Sequence, residues 1–129
     1  MQLNFSELQL ESYSISGMYD FHTHTFLSDG VLAPIELIRR AVVNGYKVLG
    51  ITDHVGPGNM ENVIKVLAED CKLANSKWDI QVLPGVELTH VPVEEIDRLA
   101  LEARSLGARI VNVHGETITE PVEDGTNLA

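Results

Sequence analysis

At 129 residues the chain has the length of one domain, long enough to bury a core and short for a complete barrel. Its 44% hydrophobic and 22% charged residues are those of an ordinary globular protein, while 19 acidic against 9 basic side chains leave a formal charge of −10, which argues against binding along a nucleic-acid backbone as the main task. No stretch offers the ~20 apolar residues of a membrane span, residues 1–18 lack the basic start and apolar core of a signal peptide, and the single Cys71, set in a helical pattern, fits packing in a reducing compartment; a cytoplasmic protein with no membrane partner is expected.

Residues 1–18 form an N-terminal segment in which Leu3, Phe5, Leu8, Leu10 and Ile15 alternate loosely with polar residues, as in a strand or a cover over one end of a core. The domain proper runs over 19–129. Tyr19-Asp20-Phe21 reads as a first strand that delivers His22-Thr23-His24, and Ser28-Asp29-Gly30 follows within one short loop. Side chains two apart on a strand share a face, so His22 and His24 are spaced for one metal ion, with the Asp29 carboxylate close by. Pro34 opens a helix with Ile35, Ile38 and Val42 at helical spacing, and Gly45 stops it.

Lys47–Ile51 is the second strand, running into Thr52-Asp53-His54 and the Gly56-Pro57-Gly58 loop. Asn59 then caps a helix whose apolar face is Val63, Ile64, Leu67, Cys71 and Ala74. The third strand, Ile80–Leu83, ends at Pro84-Gly85-Val86-Glu87. Pro92 opens a third helix, with Ile96, Leu99, Ala100, Ala103 and Leu106 on one side and Gly107 at its end. Arg109–Val113 is the fourth strand and delivers His114; from Gly115 to Ala129 no periodicity is present, which predicts loop.

Strands and helices that alternate through short connections call for a parallel α/β sheet with right-handed crossovers. Each candidate ligand sits at or just after the C-terminal end of a strand, the end where α/β sheets and β/α barrels build their sites. Histidines and carboxylates converging on one rim suit Zn²⁺, Mn²⁺ or Fe²⁺ better than Ca²⁺, and a carboxylate such as Glu87 can bridge two ions that share a water and clamp a phosphoryl group. Taken singly, His54, Glu87 and His114 also fit plain structural roles at strand or helix ends. Around them, Asp53 is placed to hydrogen-bond a ligating imidazole or to serve as a surface turn residue, His90 to contact a phosphate or to face solvent on its loop, and Glu116 to orient a ligand or a water.

Together, His22-Thr23-His24, Ser28-Asp29-Gly30, Ile51-Thr52-Asp53-His54, Gly85-Val86-Glu87 and Val113-His114-Gly115 resemble, in order and strand context, the first part of the polymerase and histidinol phosphatase (PHP) family, over residues 19 to about 121. The resemblance implies a partial distorted β/α (TIM-like) barrel with about four parallel strands and three helices, belonging to a metal-dependent phosphoesterase that acts on a small phosphomonoester. It also implies divalent ions, two or three in the complete domain. His22 and His24 would hold the first with Glu87, the main catalytic carboxylate, which would bridge to a second at His114, while Asp29 and His54 would serve a third. Residues 88–92 and His114-Gly115-Glu116 are most similar to the stand-alone, histidinol-phosphatase-like branch.

Later family motifs, a His-Pro-Gly type and an Asp-x-His, have no counterpart, and no histidine follows His114. Little activity from this chain alone is therefore expected, with self-association through open sheet edges. A metal-binding or assembly module without turnover is one alternative. A metal-dependent amide or C–N hydrolase is another, although no lysine follows a strand at the ligand-bearing end.

Overall fold

The computed structural model describes residues 17–129. The N-terminal segment lies outside the described residues apart from Gly17 and Met18. Four strands, β1 (Met18–Thr23), β2 (Tyr46–Val55), β3 (Gln81–Leu88) and β4 (Ile110–Val113), pair in parallel in the order of the chain. Between them run α1 (Pro34–Val43), α2 (Met60–Lys77) and, after a single 3₁₀ turn over Val93–Glu95, α3 (Ile96–Ser105). The result is a curled half-barrel, the architecture expected.

The helices form where propensity and punctuation agree. Pro34 occupies the first turn of α1, and Gly45 (φ 85°) and Gly107 (φ 114°) take up the left-handed conformation just past α1 and α3. Asn59 precedes α2 but does not cap it: its Oδ1 accepts the Gly56 N–H at 2.9 Å, and so closes the Gly-Pro-Gly loop instead. The helical faces pack Ile38, Val63, Ile64, Leu67, Cys71, Leu99 and Ala103 against Leu49, Ile51, Val55, Val82, Val86 and Leu88 of the central strands. Burial, with the Asp70 charge beside it, pushes the Cys71 thiol up to about 12, so Cys71 is a packing residue as expected.

Both central strands run four or five residues further than their apolar runs predict, β2 through His54 to Val55 and β3 through Glu87 to Leu88. Alternation continues past the apolar run, with Val55, Val86 and Leu88 still facing the helices and His54 and Glu87 facing inward. Pro84 is tolerated inside β3 because β4 pairing starts only at Gly85↔Ile110. The Pro84 carbonyl accepts the Arg109 N–H at 2.7 Å on that side, where Pro84 itself has no donor to offer.

Two inward-facing glycines set the curl. A Cβ on Gly50 would stand 2.5 Å from Ile110 Cδ1, and one on Gly85 would stand 2.6 Å from the Ile110 carbonyl oxygen. With no side chain at either position, β4 folds in across the mouth of β2 and β3, and the C-terminal ends of β1 and β4 approach each other. That convergence positions the site. The outer edges of β1 and β4 carry no neighbouring strand among the described residues, and the Met18 and Phe21 side chains on β1 are half exposed. No described helix is long and apolar enough to cross a membrane.

Candidate metal centre

Glu87 is the hub. It faces inward near the end of β3, where its strand pairing sets it directly opposite His54 on β2, and only 3% of it is exposed. His22 and His24 arrive from β1 and the loop after it, and His114 from the end of β4. His22 Nε2 lies 3.0 Å from Glu87 Oε1, His24 Nε2 3.2 Å from Oε2, His54 Nδ1 2.9 Å from Oε2, and His114 Nδ1 3.7 Å from Oε1. Four imidazoles thus surround one buried carboxylate. Asp29 completes the rim, its Oδ1 2.7 Å from His24 Nδ1 and its Oδ2 3.3 Å from His54 Nε2. Partial desolvation pushes the Asp29 carboxyl up, but its hydrogen bond to His24 and the charges of His24 and His54 outweigh this and hold it below its ordinary value.

These donors form three overlapping groups, each with one ligand atom per residue within 4.8 Å of the others: His22, His24 and Glu87; His24, Asp29 and His54; and His54, Glu87 and His114. His24 Nε2, Glu87 Oε2 and His114 Nε2 are buried and lack a hydrogen-bond partner. Buried polar atoms are rarely left so, and three of them converging among imidazoles and carboxylates fit one or more divalent cations. The resemblance gave the second ion only Glu87 and His114. The third member of that group, His54, comes from the β2–β3 register.

Around the donors, the Thr89 hydroxyl donates to the Glu87 carbonyl at 3.1 Å and lies 2.6 Å from His54 Nδ1. Its oxygen can therefore accept a hydrogen bond from Nδ1–H of His54, and in that tautomer the Nε2 lone pair faces Asp29. Thr89 was legible only as the residue two after Glu87, on the same strand face.

Two supporting residues have other roles than expected. Asp53, fully buried, bonds no imidazole: next to His54 on the strand, it faces the opposite side. Its carboxylate accepts the Thr25 N–H at 2.7 Å, the Thr25 hydroxyl at 2.8 Å and the Ser28 hydroxyl at 2.6 Å. It pins the loop that carries Asp29. Glu116 Oε1 accepts the backbone N–H groups of Gly125 at 2.9 Å and Asn127 at 3.0 Å and so ties down the C-terminal turn, a role its place after His114 did not suggest. His90 lines a cleft of about 290 Å³ together with Ser28, Asp29, His54, Thr89 and Glu120. A larger cleft, about 550 Å³, opens at the other end of β3 beside Cys71, Lys72, Gln81 and Arg109; none of the donor groups borders it.

The sequence matches known proteins over the same elements. A family model described as the PHP domain covers residues 20–117. An uncharacterized protein of Methanocaldococcus jannaschii is 48% identical over 110 residues, spanning 84% of this chain and 50% of that protein. A 5'-3' exoribonuclease of Haemophilus influenzae is 34% identical over 71 residues, 55% of this chain and 23% of the relative, and the 5'-3' exoribonuclease Rnm of Escherichia coli is 34% identical over 74 residues, 57% and 23% respectively. The chain thus spans half the length of the first relative and under a quarter of each exoribonuclease. Since the family match runs from the strand that bears the first histidine pair to just beyond His114, the chain belongs to the PHP domain family, a family of metal-dependent phosphoesterases.

Proposed function

We propose that these residues carry the metal-binding part of a cytoplasmic phosphoesterase site of the histidinol-phosphatase-like branch, with His22, His24, Asp29, His54, Glu87 and His114 as ligands and a small phosphomonoester as substrate. The supporting observation is Glu87, buried among four imidazoles with its Oε2 close to His24 and His54 but without a hydrogen bond. When bound, divalent ions such as Zn²⁺, Mn²⁺ or Fe²⁺ lower the pKa of a shared water and offset the charge of the phosphoryl oxygens. Glu87 contributes an oxygen to each of two neighbouring groups, Asp29 holds the rings of His24 and His54, and Thr89 fixes the His54 tautomer.

The exoribonuclease relatives suggest a polynucleotide substrate instead, and the charge distribution speaks against it. All nine Lys and Arg side chains sit on helices or at the N-terminal ends of strands β2 and β4; none falls in residues 24–33, 56–59, 89–92 or 114–129, which make up the rim. A polynucleotide needs cationic side chains along its backbone, whereas one phosphoryl group can be neutralised by the ions alone.

The test is a panel assay in Mn²⁺ and in Zn²⁺ with p-nitrophenyl phosphate, histidinol phosphate, a 5'-phosphorylated oligoribonucleotide and a set of amides. We expect slow, metal-dependent release of phosphate from the small monoesters by the 129 residues, and a rise by orders of magnitude when the residues that follow the match in longer family members are supplied. Faster cleavage of the oligoribonucleotide would overturn the substrate reading, and amide cleavage the reaction class. Metal uptake with no turnover in either form would favour a binding module. We infer in addition that the edges of β1 and β4, which carry no neighbouring strand among the described residues, drive self-association. Light scattering at high concentration is expected to give a mass above one chain, and a strictly monomeric species would count against it.

A further inference from the structure

Past β4 the chain doubles back over the rim. Glu116 accepts the N–H groups of Gly125 and Asn127 with its carboxylate while its own N–H donates to Asn127 Oδ1 at 2.8 Å, so residues 116–127 form a closed clasp. Within the clasp the Thr117 hydroxyl accepts the Glu120 N–H at 3.1 Å. The Glu120 carboxylate is thereby turned toward the site, with Oε2 2.9 Å from His90 Nε2 and 3.9 Å from His114 Nε2.

His114 is the informative partner. Its Nδ1 faces Glu87, while its Nε2 on the far side of the ring is buried without a hydrogen-bond partner. An imidazole that ligates a cation through one nitrogen carries a proton on the other, and that N–H is nearly always received by a carboxylate, a carbonyl or water. Glu120 is the carboxylate that a small side-chain rotation brings within reach. His90 supplies an independent sign of purpose. It is the one non-glycine residue with positive φ (58°) among the described residues. A non-glycine residue held there is strained, and such residues cluster at functional sites. Here the ring is aimed at Glu120 and the mouth of the Asp29–His54 cleft, on a rim with no Lys or Arg.

We propose that Glu120 is a positioning residue that receives the Nε2–H of His114 and, paired with Nε2 of His90, holds that ring in its doubly protonated form so that its second N–H donates to a phosphoryl oxygen in the cleft. This rests on the metal-site reading. A plain surface ion pair between His90 and Glu120, each about half exposed, would contribute little and would leave metal affinity alone.

Zn²⁺ titration of the whole chain against a chromophoric chelator tests the first half of the proposal. Glu120→Gln is expected to weaken Zn²⁺ binding about 10- to 100-fold, the usual cost of losing such a partner. Glu120→Asp is expected to restore part of it, and Glu123→Gln in the same clasp to match the parent. Thermal melts of the metal-free variants, expected to coincide, separate this from loss of fold. Inorganic phosphate binding to the Zn²⁺-loaded chain tests the second half: His90→Ala is expected to weaken it about tenfold with Zn²⁺ affinity unchanged. Parent-like Zn²⁺ affinity in Glu120→Gln, or a His90→Ala variant that loses Zn²⁺ as Glu120→Gln does, overturns the proposal and leaves the metal site standing. Failure of the parent chain itself to bind Zn²⁺ overturns the metal reading beneath it.

Discussion

Replacing Glu87 with Gln is expected to leave a folded protein that retains at most one bound ion. Of the three donor groups, two contain Glu87, and only His24, Asp29 and His54 stand without it. The carboxylate faces His22 and His114 with Oε1 and His24 and His54 with Oε2, so one amide substitution strips an anionic ligand atom from both sides of the centre. The amide keeps the size of the side chain but offers one weak oxygen and an N–H₂ that repels a cation. Loss of a residue that merely orients a ligand costs about 10–100-fold in metal affinity, so loss of a shared ligand is expected to exceed about 100-fold. Elemental analysis after dialysis, with isothermal titration of Zn²⁺ and Mn²⁺, reads the effect directly. Asp29→Asn gives the complementary result, because it empties the group that Glu87 does not share. Unchanged metal content in Glu87→Gln would mean that Glu87 belongs to the apo packing and not to the centre.

Much of this site was legible because strand ends announce themselves. His22, His24, His54, Glu87 and His114 each follow an apolar run, and the parallel topology implied by the alternating elements brings the ends of such runs to one rim. What the runs could not give was register. That His54 sits opposite Glu87, and so joins the same donor group as His114, depends on β2 and β3 pairing for several residues past their last run of hydrophobic side chains. Orientation was equally hidden for Asp53. Its neighbours Thr52 and His54 face inward, so it faces the helices and the loop packed there, and its bonds to Thr25 and Ser28 follow from that face and not from its place in the motif. Glu116 and Glu120 show the same limit over a longer range. Proximity in the chain to His114 suggested Glu116 as a residue that orients a ligand or a water, but the fold-back of residues 116–127 commits its Oε1 to backbone N–H groups and brings Glu120 toward His114. No periodicity in that segment signals the turn.

Asp53→Ala is expected to lower stability more than any change among the metal-binding side chains, and to do so in metal-free protein. The Asp53 carboxylate and the Thr25 it holds are both fully buried. Truncation leaves the buried Thr25 N–H and Thr25 hydroxyl without their acceptor and takes one from the half-buried Ser28 hydroxyl. Each buried donor left unpaired costs about 1–3 kcal/mol, and allowing for partial relaxation the loss comes to roughly 3–5 kcal/mol. Against a typical total of about 5–15 kcal/mol this is a large share, and for a domain of this size it corresponds to a fall of roughly 10–20 °C in Tm. Asp53→Asn keeps one acceptor oxygen but turns an N–H₂ toward donors, so an intermediate loss is expected. The consequence for the site is selective. The pinned loop carries Asp29, while His22 and Glu87 lie on strands that Asp53 does not hold, so the His24, Asp29 and His54 group is expected to loosen first. Circular-dichroism melts of the metal-free proteins measure the first effect, and metal stoichiometry below the melting range measures the second. A parent-like melt together with the loss of every ion would show instead that Asp53 acts on the centre directly and not through the loop.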